Sequence, residues 1–549
     1  MTINNNTNEY SRVQSCAVPC PKGQTGIRNL KNYIRMKIEI MDTTLRDGEQ
    51  TQGVSYSPLE KLQIASILLK DVKVDRIEVA SARVSSGEFE ALRKITEWAR
   101  QNNIQRKVEV LGFVDGNVSL NWIHDAGGKV INLLCKGSLR HLEKQLRKTP
   151  EQHVNDIKEI IARAEKLDIQ VNIYLEDWSN GMIHSEDYVY YMIDNLKNET
   201  IARFMLPDTL GILNPELTYS FIGKMVERYP GQHFDFHSHN DYDLAVANVF
   251  SAVKAGARGV HTTVNGLGER AGNAPLSSVI GVLHDQLNIE TNINESEIIK
   301  ISKIVETFSG VRIPVNKPVV GENVFTQTSG VHADGDNKAN LYFNNLLPER
   351  FGRKRKYALG KQSGKATIIK NLEEFGLNLS PESIAKITKR VIELGDKKEN
   401  VTTEDLPFII SDVLGSDRSE FKIFIKNYSL SLSYGLKPSA SVLIDIDGKL
   451  YQETSPGDGQ YNAFMKALRK IYDKLGKELP VLTDYEVSIP PGGKTDALVE
   501  TLISWNFRGR EFRTRGLDAD QTESAIKATE KMLNIVEGIN GTEKNHLSA

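Results

Sequence analysis

The chain has 549 residues, 40% of them hydrophobic, and its 69 basic and 71 acidic side chains leave a net charge of -2. This balance excludes a global positive field, so we expect no nucleic-acid partner. No apolar stretch approaches the roughly 20 residues of a membrane helix, and the first residues lack a signal-peptide pattern. We therefore expect a cytoplasmic protein without membrane contact, and the three cysteines fit a reducing compartment.

The first part of the chain divides into a tail and a repeating pattern. Residues 1–36 are rich in Asn, Gln, Ser and Thr without a sustained period, which predicts a flexible N-terminal extension. From residue 37 onward, short apolar runs alternate with segments of helical period. Eight such units predict an α/β fold, a (β/α)8 TIM barrel over residues 37–310. The predicted strands are 38–41, 76–80, 108–113, 130–134, 171–175, 203–206, 233–236 and 259–263.

Polar side chains follow these runs at the point where each predicted strand ends. In a barrel of this class the carboxyl ends of the strands form the catalytic face. A single polar strand end is as often only solvated, but eight that converge on one mouth indicate a site. They are Arg46, Asp47, Arg83, Asp115, Lys136, Glu176, Asp208, Thr209, His237, His239 and Asn265.

Two histidines and one aspartate suggest a metal site. His237 and His239 are two residues apart, which on a strand directs both imidazoles to one side. Asp47 follows the first strand and would lie near them across the barrel closure. The two histidines alone could also be a hydrogen-bonding pair. With Asp47, the mixed oxygen and nitrogen set suits Mn²⁺, Mg²⁺ or Zn²⁺.

The chain after the barrel divides into two further predicted regions. Residues 311–427 have a mixed pattern and predict mainly helical linker subdomains. Residues 428–549 contain a weak duplication of strands, Gly-containing turns and an Ala-rich helix. This pattern predicts a C-terminal α+β domain of two βββα-like units.

Three motifs carry a resemblance to a known family. They are TTLRDGEQ at 43–50, HSHND at 237–241 and NGLGERAGN at 265–273. Glycines spaced G-x-G-x-x-x-G at the end of a barrel do not fit a dinucleotide loop. The three motifs resemble the 2-isopropylmalate, homocitrate and citramalate synthase family. The resemblance runs from about residue 37 to 538 and implies a homodimer that condenses acetyl-CoA with a 2-oxo acid.

The resemblance also implies roles for individual residues. It implies a divalent metal held by Asp47, His237, His239 and Asn273, with Asp47 also bordering the substrate. Arg46 would bind the carbonyl oxygen of the 2-oxo acid, and Thr209 would hydrogen-bond its carboxylate. Proton transfer is assigned by the family pattern to Glu176, His332 and Tyr342, and which of them takes the methyl proton stays open. His332 and Tyr342 follow the barrel and would reach its mouth, of the same subunit or of a second one.

The choice of oxo acid is predicted from three bulky residues. By the resemblance, Leu111, Leu134 and Tyr174 face the side chain of the oxo acid, where they would admit the methyl group of pyruvate and clash with an isopropyl group. Pyruvate and acetyl-CoA would then give citramalate, the first step of a threonine-independent route to isoleucine. The alternative is 2-oxoisovalerate, which gives 2-isopropylmalate for leucine synthesis. The leucines could also be ordinary barrel core.

The C-terminal domain resembles the amino-acid-binding regulatory domain of the family, with isoleucine as the expected effector. Two positions depart from the citramalate-type pattern: Asn462 stands where Asp is expected to meet the effector's ammonium group, and Ala519 stands in place of Pro. A dimerisation domain that senses nothing is the alternative. For the protein as a whole, two other functional classes are alternatives: a metal-dependent aldolase or lyase, and a non-catalytic amino-acid sensor. The implied effector residues are Tyr461, Leu482, Tyr485, Ile489, Thr495, Val499 and Gln521.

Overall fold

The computed structural model describes residues 37–374, 377, 379–396, scattered positions between 401 and 413, 423–488, 499–518 and 520–546. These residues form two compact units. The first contains residues 37–325 and 344–355, and the second contains 326–343 and the residues from 356 onward. The predicted N-terminal extension, with Cys16 and Cys20, lies outside the described residues, and so do Ile489, Thr495 and Ala519.

Eight parallel strands close into a barrel in the first unit. Each strand pairs with the next one along the chain, and β1 also pairs with β8. The predicted TIM barrel is therefore confirmed, and most of its strands, β4 and β5 among them, end one or two residues later than predicted. The strands are β1 Glu39–Asp42, β2 Arg76–Ser81, β3 Val108–Phe113, β4 Val130–Lys136, β5 Gln170–Glu176, β6 Ile201–Asp208, β7 Phe234–Ser238 and β8 Gly259–Thr262.

Helices follow the barrel strands and cover them. The first one begins with a capping box, in which Ser57 Oγ accepts from the Glu60 N–H and Glu60 Oε2 accepts from the Ser57 N–H at 2.7 Å. The α-helices of this unit are Pro58–Ile67, Ser86–Gln101, Val118–Asp125, Leu139–His141, Pro150–Lys166, Trp178–His184, Glu186–Leu196, Pro215–Arg228, Ala245–Ala255, Leu276–Leu287 and Ile298–Ser309. Short 3₁₀ or π turns are Gly48–Gln50, Leu68–Val72, Gln105–Lys107, Leu142–Leu146, Val264–Gly266, Glu295–Glu297 and Pro348–Phe351.

The barrel interior contains a chain of buried polar side chains as well as apolar ones. Asn172 Nδ2 donates to Glu109 Oε2 at 3.3 Å and to Asn132 Oδ1 at 2.8 Å. Asn132 Nδ2 in turn donates to Glu78 Oε1 at 2.8 Å, and the other oxygen of Glu78 accepts from Arg46. Because buried polar groups need partners within the fold, this chain fixes the orientation of Glu78 near the carboxyl ends of the strands.

The second unit contains two antiparallel sheets, each followed by a long helix. Phe464 of the first helix and Trp505 of the second sheet belong to one apolar core, so the two βββα units pack together. The predicted C-terminal α+β domain is confirmed. Its strands are preceded by a short parallel pair, β9 Thr326–Gln327 and β10 Lys356–Tyr357, and are β11 Ile423–Ser431, β12 Ser439–Ile446, β13 Lys449–Pro456, β14 Val481–Ser488, β15 Val499–Phe507 and β16 Arg510–Asp518. The helices are Gly330–Ala339, Lys365–Glu374, Pro381–Asp396, Gln460–Lys474 and Gln521–His546.

Two expectations concern boundaries and membranes. The domain boundaries at 310 and 427 stay predictions, and the second falls inside strand Ile423–Ser431.

Among the helices of the described residues, none combines the length and the apolar character that crossing a membrane requires.

Candidate active site and metal centre

Three potential metal ligands meet at the carboxyl end of the barrel. One ligand atom from each of Asp47, His237 and His239 lies within 4.8 Å of the others, and all three residues are buried. Asp47 Oδ2 is 3.2 Å from His237 Nε2 and 3.7 Å from His239 Nε2. The closure of the barrel explains this meeting, since β8 pairs with both β1 and β7. The structure therefore brings these three residues together, and metal binding by them stays a prediction.

Asn273 lies beside these residues, at the end of the glycine-rich segment. A single antiparallel bridge pairs it with His239. Its Nδ2 donates to the Leu267 carbonyl at 3.1 Å, which leaves Oδ1 as the acceptor that is free to turn toward the ligand set. Gly268 has a φ of +154°, and a Cβ there would lie 2.1 Å from Asn273 Nδ2. The glycine therefore makes room for the Asn273 amide.

Several buried polar atoms of this set have no hydrogen-bond partner among the described residues. They include Asp47 Oδ1, Asn273 Oδ1 and the Nδ1 atoms of His237 and His239. Unpaired buried polar atoms are costly and rare, so their concentration at one place indicates a missing partner. A divalent cation would satisfy them, and two imidazoles with two oxygen donors suit Mn²⁺, Mg²⁺ or Zn²⁺. The residues present therefore fit such a cation.

Electrostatics prepare the same set for a cation. Burial lowers the pKa of both His237 and His239 to about 4, so both imidazoles are neutral at pH 7. Burial alone would raise the pKa of Asp47, but the Arg46 guanidinium and His237 hold it well below its usual range. Neutral imidazoles and an ionised carboxylate are the protonation states in which these groups bind metals.

Arg46 is held by two carboxylates, neither of which contacts its Nη2 atom. Its Nε donates to Glu78 Oε2 at 2.5 Å and its Nη1 to Asp47 Oδ2 at 3.0 Å. Burial opposes its charge, but these two carboxylates raise its pKa, so the guanidinium stays charged. Nη2 is buried and, within the described part of the chain, lacks a hydrogen-bond partner. Its N–H groups are suited to an oxygen of a bound substrate.

Glu78 is a residue of this site that the sequence did not reveal. It lies fully buried in β2 and bridges Arg46 and Asn132 with its two carboxylate oxygens. The signal was present as a lone glutamate inside the apolar run RIEVAS. A charged residue in the middle of a buried strand requires a partner, which could have indicated a positioning role.

The predicted pocket wall forms a small apolar cluster of its own. Leu111, Tyr174, Met41 and Met205 are buried together, and the partly buried Leu134 packs against them. The cluster is separate from the main core. Because the interior of such a barrel is itself a packed core, the interpretation of the leucines as barrel core stays open.

The wall lies directly beside the ligand set and the arginine. The Tyr174 ring centroid is 6.0 Å from that of His237 and 5.7 Å from the Arg46 guanidinium carbon. Leu134 and Tyr174 are register partners on β4 and β5, so they face the interior together. The structure thus brings the predicted wall to the predicted metal centre.

Two other predicted residues lie at neighbouring strand ends. Thr209 follows β6 and accepts from the Asp177 N–H at 2.9 Å, which leaves its own hydroxyl hydrogen to donate. Glu176 ends β5 and forms an ion pair with Lys136, its register partner at the end of β4. Both predicted residues therefore lie at the barrel mouth.

His332 and Tyr342 lie in the second unit. Their ring centroids are 4.1 Å apart, and the Tyr342 N–H donates to Asp336 Oδ1 at 2.9 Å. The structure thus brings the two residues to each other. That they reach a barrel mouth stays a prediction.

Three known protein families match successive parts of the chain. The family described as HMGL-like matches residues 37–305, a homocitrate synthase post-HMGL domain-like family matches 319–399, and the LeuA allosteric (dimerisation) domain matches 400–537. A putative (R)-citramalate synthase CimA from Methanopyrus kandleri is 36% identical, over 84% of this chain and 89% of the relative. The chain belongs to the family of citramalate and 2-isopropylmalate synthases. It is an acyltransferase-type condensing enzyme.

Other members of the family carry the second name. A 2-isopropylmalate synthase from Pyrococcus furiosus is 35% identical, over 91% of this chain and 99% of the relative. A probable 2-isopropylmalate synthase from Methanopyrus kandleri is 34% identical, over 90% and 97%. Both names therefore occur at similar identity. The family generally uses a divalent metal and acetyl-CoA.

The allosteric domain of this family member contains a cavity of about 510 Å³. Four of the predicted effector residues, Tyr461, Leu482, Tyr485 and Gln521, line it, and so does Asn462. The Tyr461 hydroxyl lies 2.7 Å from Thr529 Oγ1, and its ring centroid is 5.5 Å from that of Tyr485. Val499 begins β15, and Ile489 and Thr495 lie outside the described residues. Effector binding at this cavity stays a prediction.

Proposed function

We propose that the protein is a citramalate synthase, which condenses acetyl-CoA with pyruvate and hydrolyses the thioester to give citramalate and CoA. The observation that carries this choice is the apolar wall of Leu111, Leu134 and Tyr174 beside the predicted metal ligands. A methyl group is the side chain that such a wall accommodates, and a larger branched group would overpack it.

Arg46 and the ligand set would activate the oxo acid. The free N–H of Arg46 Nη2 donates to the keto oxygen and offsets the charge that develops there. Asp47, His237, His239 and Asn273 would hold a divalent cation, which supplies Lewis acidity that polarises the keto carbonyl. Thr209 donates its hydroxyl hydrogen to the substrate carboxylate.

Proton transfers complete the reaction. A base takes one proton from the methyl group of acetyl-CoA, and the resulting carbon nucleophile forms a bond to the keto carbon of pyruvate. The keto oxygen then gains a proton, and water cleaves the thioester to release CoA. Glu176, His332 and Tyr342 are the proposed proton-transfer residues, since each type can donate or accept a proton in a tuned environment.

The second candidate is 2-isopropylmalate synthase, in which 2-oxoisovalerate replaces pyruvate. It is favoured by the relatives of that name, which match nearly the whole chain at 35% and 34% identity. Homocitrate synthesis is less consistent with the apolar wall, because the second carboxylate of 2-oxoglutarate would be buried there without a partner.

We also propose regulation and assembly from the C-terminal domain. The match to the LeuA allosteric (dimerisation) domain and the cavity lined by Tyr461 and Tyr485 support an amino-acid effector, with isoleucine as the end product of the proposed route. The same match supports a homodimer. A cytoplasmic location stays a prediction from the sequence.

The release of CoA with a panel of 2-oxo acids tests the proposed substrate. We expect the highest kcat/KM with pyruvate, and higher values with 2-oxoisovalerate would contradict the proposal. In the double variant Leu111→Ala/Tyr174→Asn, we expect the ratio of kcat/KM for 2-oxoisovalerate to that for pyruvate to rise at least about tenfold, the scale of discrimination by a hydrophobic pocket. Leu133→Ala is the control, since Leu133 is buried in the main core and not in the wall cluster.

A further inference from the structure

Lys61 is a fully buried lysine near the barrel mouth whose ammonium group has four partners. It lies on helix Pro58–Ile67, which follows the turn that carries Arg46. Its Nζ forms ion pairs with Glu49 and with Glu88 Oε1, the latter at 2.5 Å. It also donates to the backbone carbonyls of Leu45 at 3.2 Å and Val79 at 3.5 Å. A lysine is rarely buried to this extent unless its charge is paired.

The two backbone partners of Lys61 are sequence neighbours of Arg46 and Glu78. Leu45 immediately precedes Arg46, and Val79 immediately follows Glu78, so the ammonium group joins the two backbones that carry the Arg46–Glu78 ion pair. On the other side of Arg46, the turn Gly48–Gln50 contains Glu49 and follows Asp47. Lys61 therefore contacts the segment that contains Arg46 and Asp47 on both sides, through the Leu45 carbonyl before it and the Glu49 carboxylate after it.

Glu49 also contacts the chain segment that precedes the helix of Lys61. Its Oε1 accepts from the Tyr56 N–H at 2.8 Å, while Oε2 faces the Lys61 ammonium. Without the ammonium group, Glu49 and Glu88 would be two nearby carboxylates with no shared cation. Their repulsion would push the turn away from helix Ser86–Gln101, which carries Glu88.

We propose that Lys61 is a positioning residue of the metal centre. By clamping the turn to β2, it fixes Asp47 for the cation and Arg46 for the keto oxygen. The inference rests on the proposed metal-dependent function. Contacts that orient metal ligands typically change metal affinity about 10–100-fold when they are lost.

The affinity of the full-length protein for Mn²⁺ separates positioning from general stabilisation. We would measure it by electron paramagnetic resonance of free Mn²⁺, at a temperature where thermal unfolding shows every variant to be folded. Lys61→Met is expected to bind Mn²⁺ at least about tenfold more weakly than the wild type. We also expect its kcat to fall. Mn²⁺ affinity equal to that of the wild type would overturn the proposal.

Thr96→Val is the matched control. Thr96 Oγ1 donates to the Ala126 carbonyl at 2.6 Å, and both groups are buried. Ala126 precedes β4, so this hydrogen bond lies at the amino ends of the strands, opposite the barrel mouth. Its loss is expected to lower the unfolding temperature and to leave Mn²⁺ affinity unchanged. Mn²⁺ affinity that fell as much in Thr96→Val as in Lys61→Met would reduce Lys61 to a general stabilising role and overturn the proposal.

A second variant covers the case in which Lys61→Met does not fold. Lys61→Met/Glu88→Gln removes one of the two unpaired carboxylates but still lacks the ties to Leu45, Val79 and Glu49. The same tenfold loss is expected, and wild-type affinity would overturn the proposal. Wild-type protein that binds no Mn²⁺ would overturn the metal centre itself. Wild-type protein that binds Mn²⁺ without condensing pyruvate would overturn only the proposed substrate.

Discussion

Two ion pairs fix the orientation of the Arg46 guanidinium group at the barrel mouth. Glu78 and Asp47 each accept one of its N–H groups, and the buried Nη2 atom keeps both of its N–H groups for a substrate. Glu78 is in turn fixed by Asn132. A preorganised donor of this kind stabilises developing charge without reorganisation during the reaction.

Replacing Glu78 by Gln tests this orientation. The variant keeps the size of the side chain but loses the charge that holds Arg46, so we expect kcat to fall about 100-fold, the scale of losing one preorganised donor. Asp285→Asn is the control, because the Asp285 carboxylate is also largely buried and pairs with an arginine, Arg350, outside the chain that orients Glu78. Steady-state kinetics would contradict the account if both variants lost kcat equally.

At the residue scale, sequence patterns found the predicted metal ligands and Arg46 but not the residues that support them. Asp47, His237 and His239 stand in recognisable motifs, and the barrel closure was enough to predict that they meet. Glu78 and Lys61 were missed because burial and pairing depend on which way each side chain faces, and an apolar run or an amphipathic helix does not specify that for one charged residue.

At the scale of elements, the glycine-rich segment 265–273 shows how backbone conformation serves the site. Gly268 and Gly272 have φ values of +154° and +85°, and a Cβ at Gly272 would lie 2.0 Å from the Gly266 carbonyl oxygen. The segment folds tightly against itself and presents Asn273 next to His239. Its glycines therefore serve packing rather than nucleotide binding.

Gly268→Ala is expected to disturb the metal centre through Asn273. The new Cβ would lie 2.1 Å from Asn273 Nδ2, so the amide must move, and we expect Mn²⁺ affinity to fall about tenfold or more. Gly53→Ala is the matched control, because Gly53 also has a positive φ, +85°, but nothing within 4 Å of the new Cβ. Titration calorimetry with Mn²⁺ would contradict the expectation if Gly268→Ala bound like the control.

Elements were predicted where their pattern was strong. All eight barrel strands were found from their apolar runs, but most of their ends were placed one or two residues too early, as in β4 and β5. Those strands end in Lys136 and Glu176, polar residues that a hydrophobic pattern assigns to loops. In the C-terminal domain the duplicated pattern began at β12, because β11 has several exposed polar residues on its alternating face.

At the scale of the whole molecule, a condensing barrel and an allosteric domain occur in one chain. The cavity of the allosteric domain has no acidic side chain among the described residues that line it, and Asn462 contributes an amide there. Asn462 Oδ1 accepts from the Asp458 N–H at 3.1 Å. An aspartate at this position could keep that hydrogen bond and add a charge.

Asn462→Asp is therefore expected to strengthen isoleucine binding. The added carboxylate would pair with the ammonium group of the amino acid, and a hydrogen bond to a charged group contributes about 1.5 kcal/mol or more, which is about tenfold in affinity. Calorimetric titration with isoleucine and with leucine checks this. Unchanged isoleucine binding, or a gain for leucine alone, would contradict the predicted effector.

The most direct measurement is CoA release from acetyl-CoA and pyruvate by protein stripped of metal with a chelator, before and after Mn²⁺ is restored. The account predicts that the stripped enzyme is inactive, that Mn²⁺ restores turnover, and that Asp47→Asn abolishes the restoration. Undiminished turnover by the stripped enzyme would contradict the central claim that Asp47, His237 and His239 hold a catalytic cation.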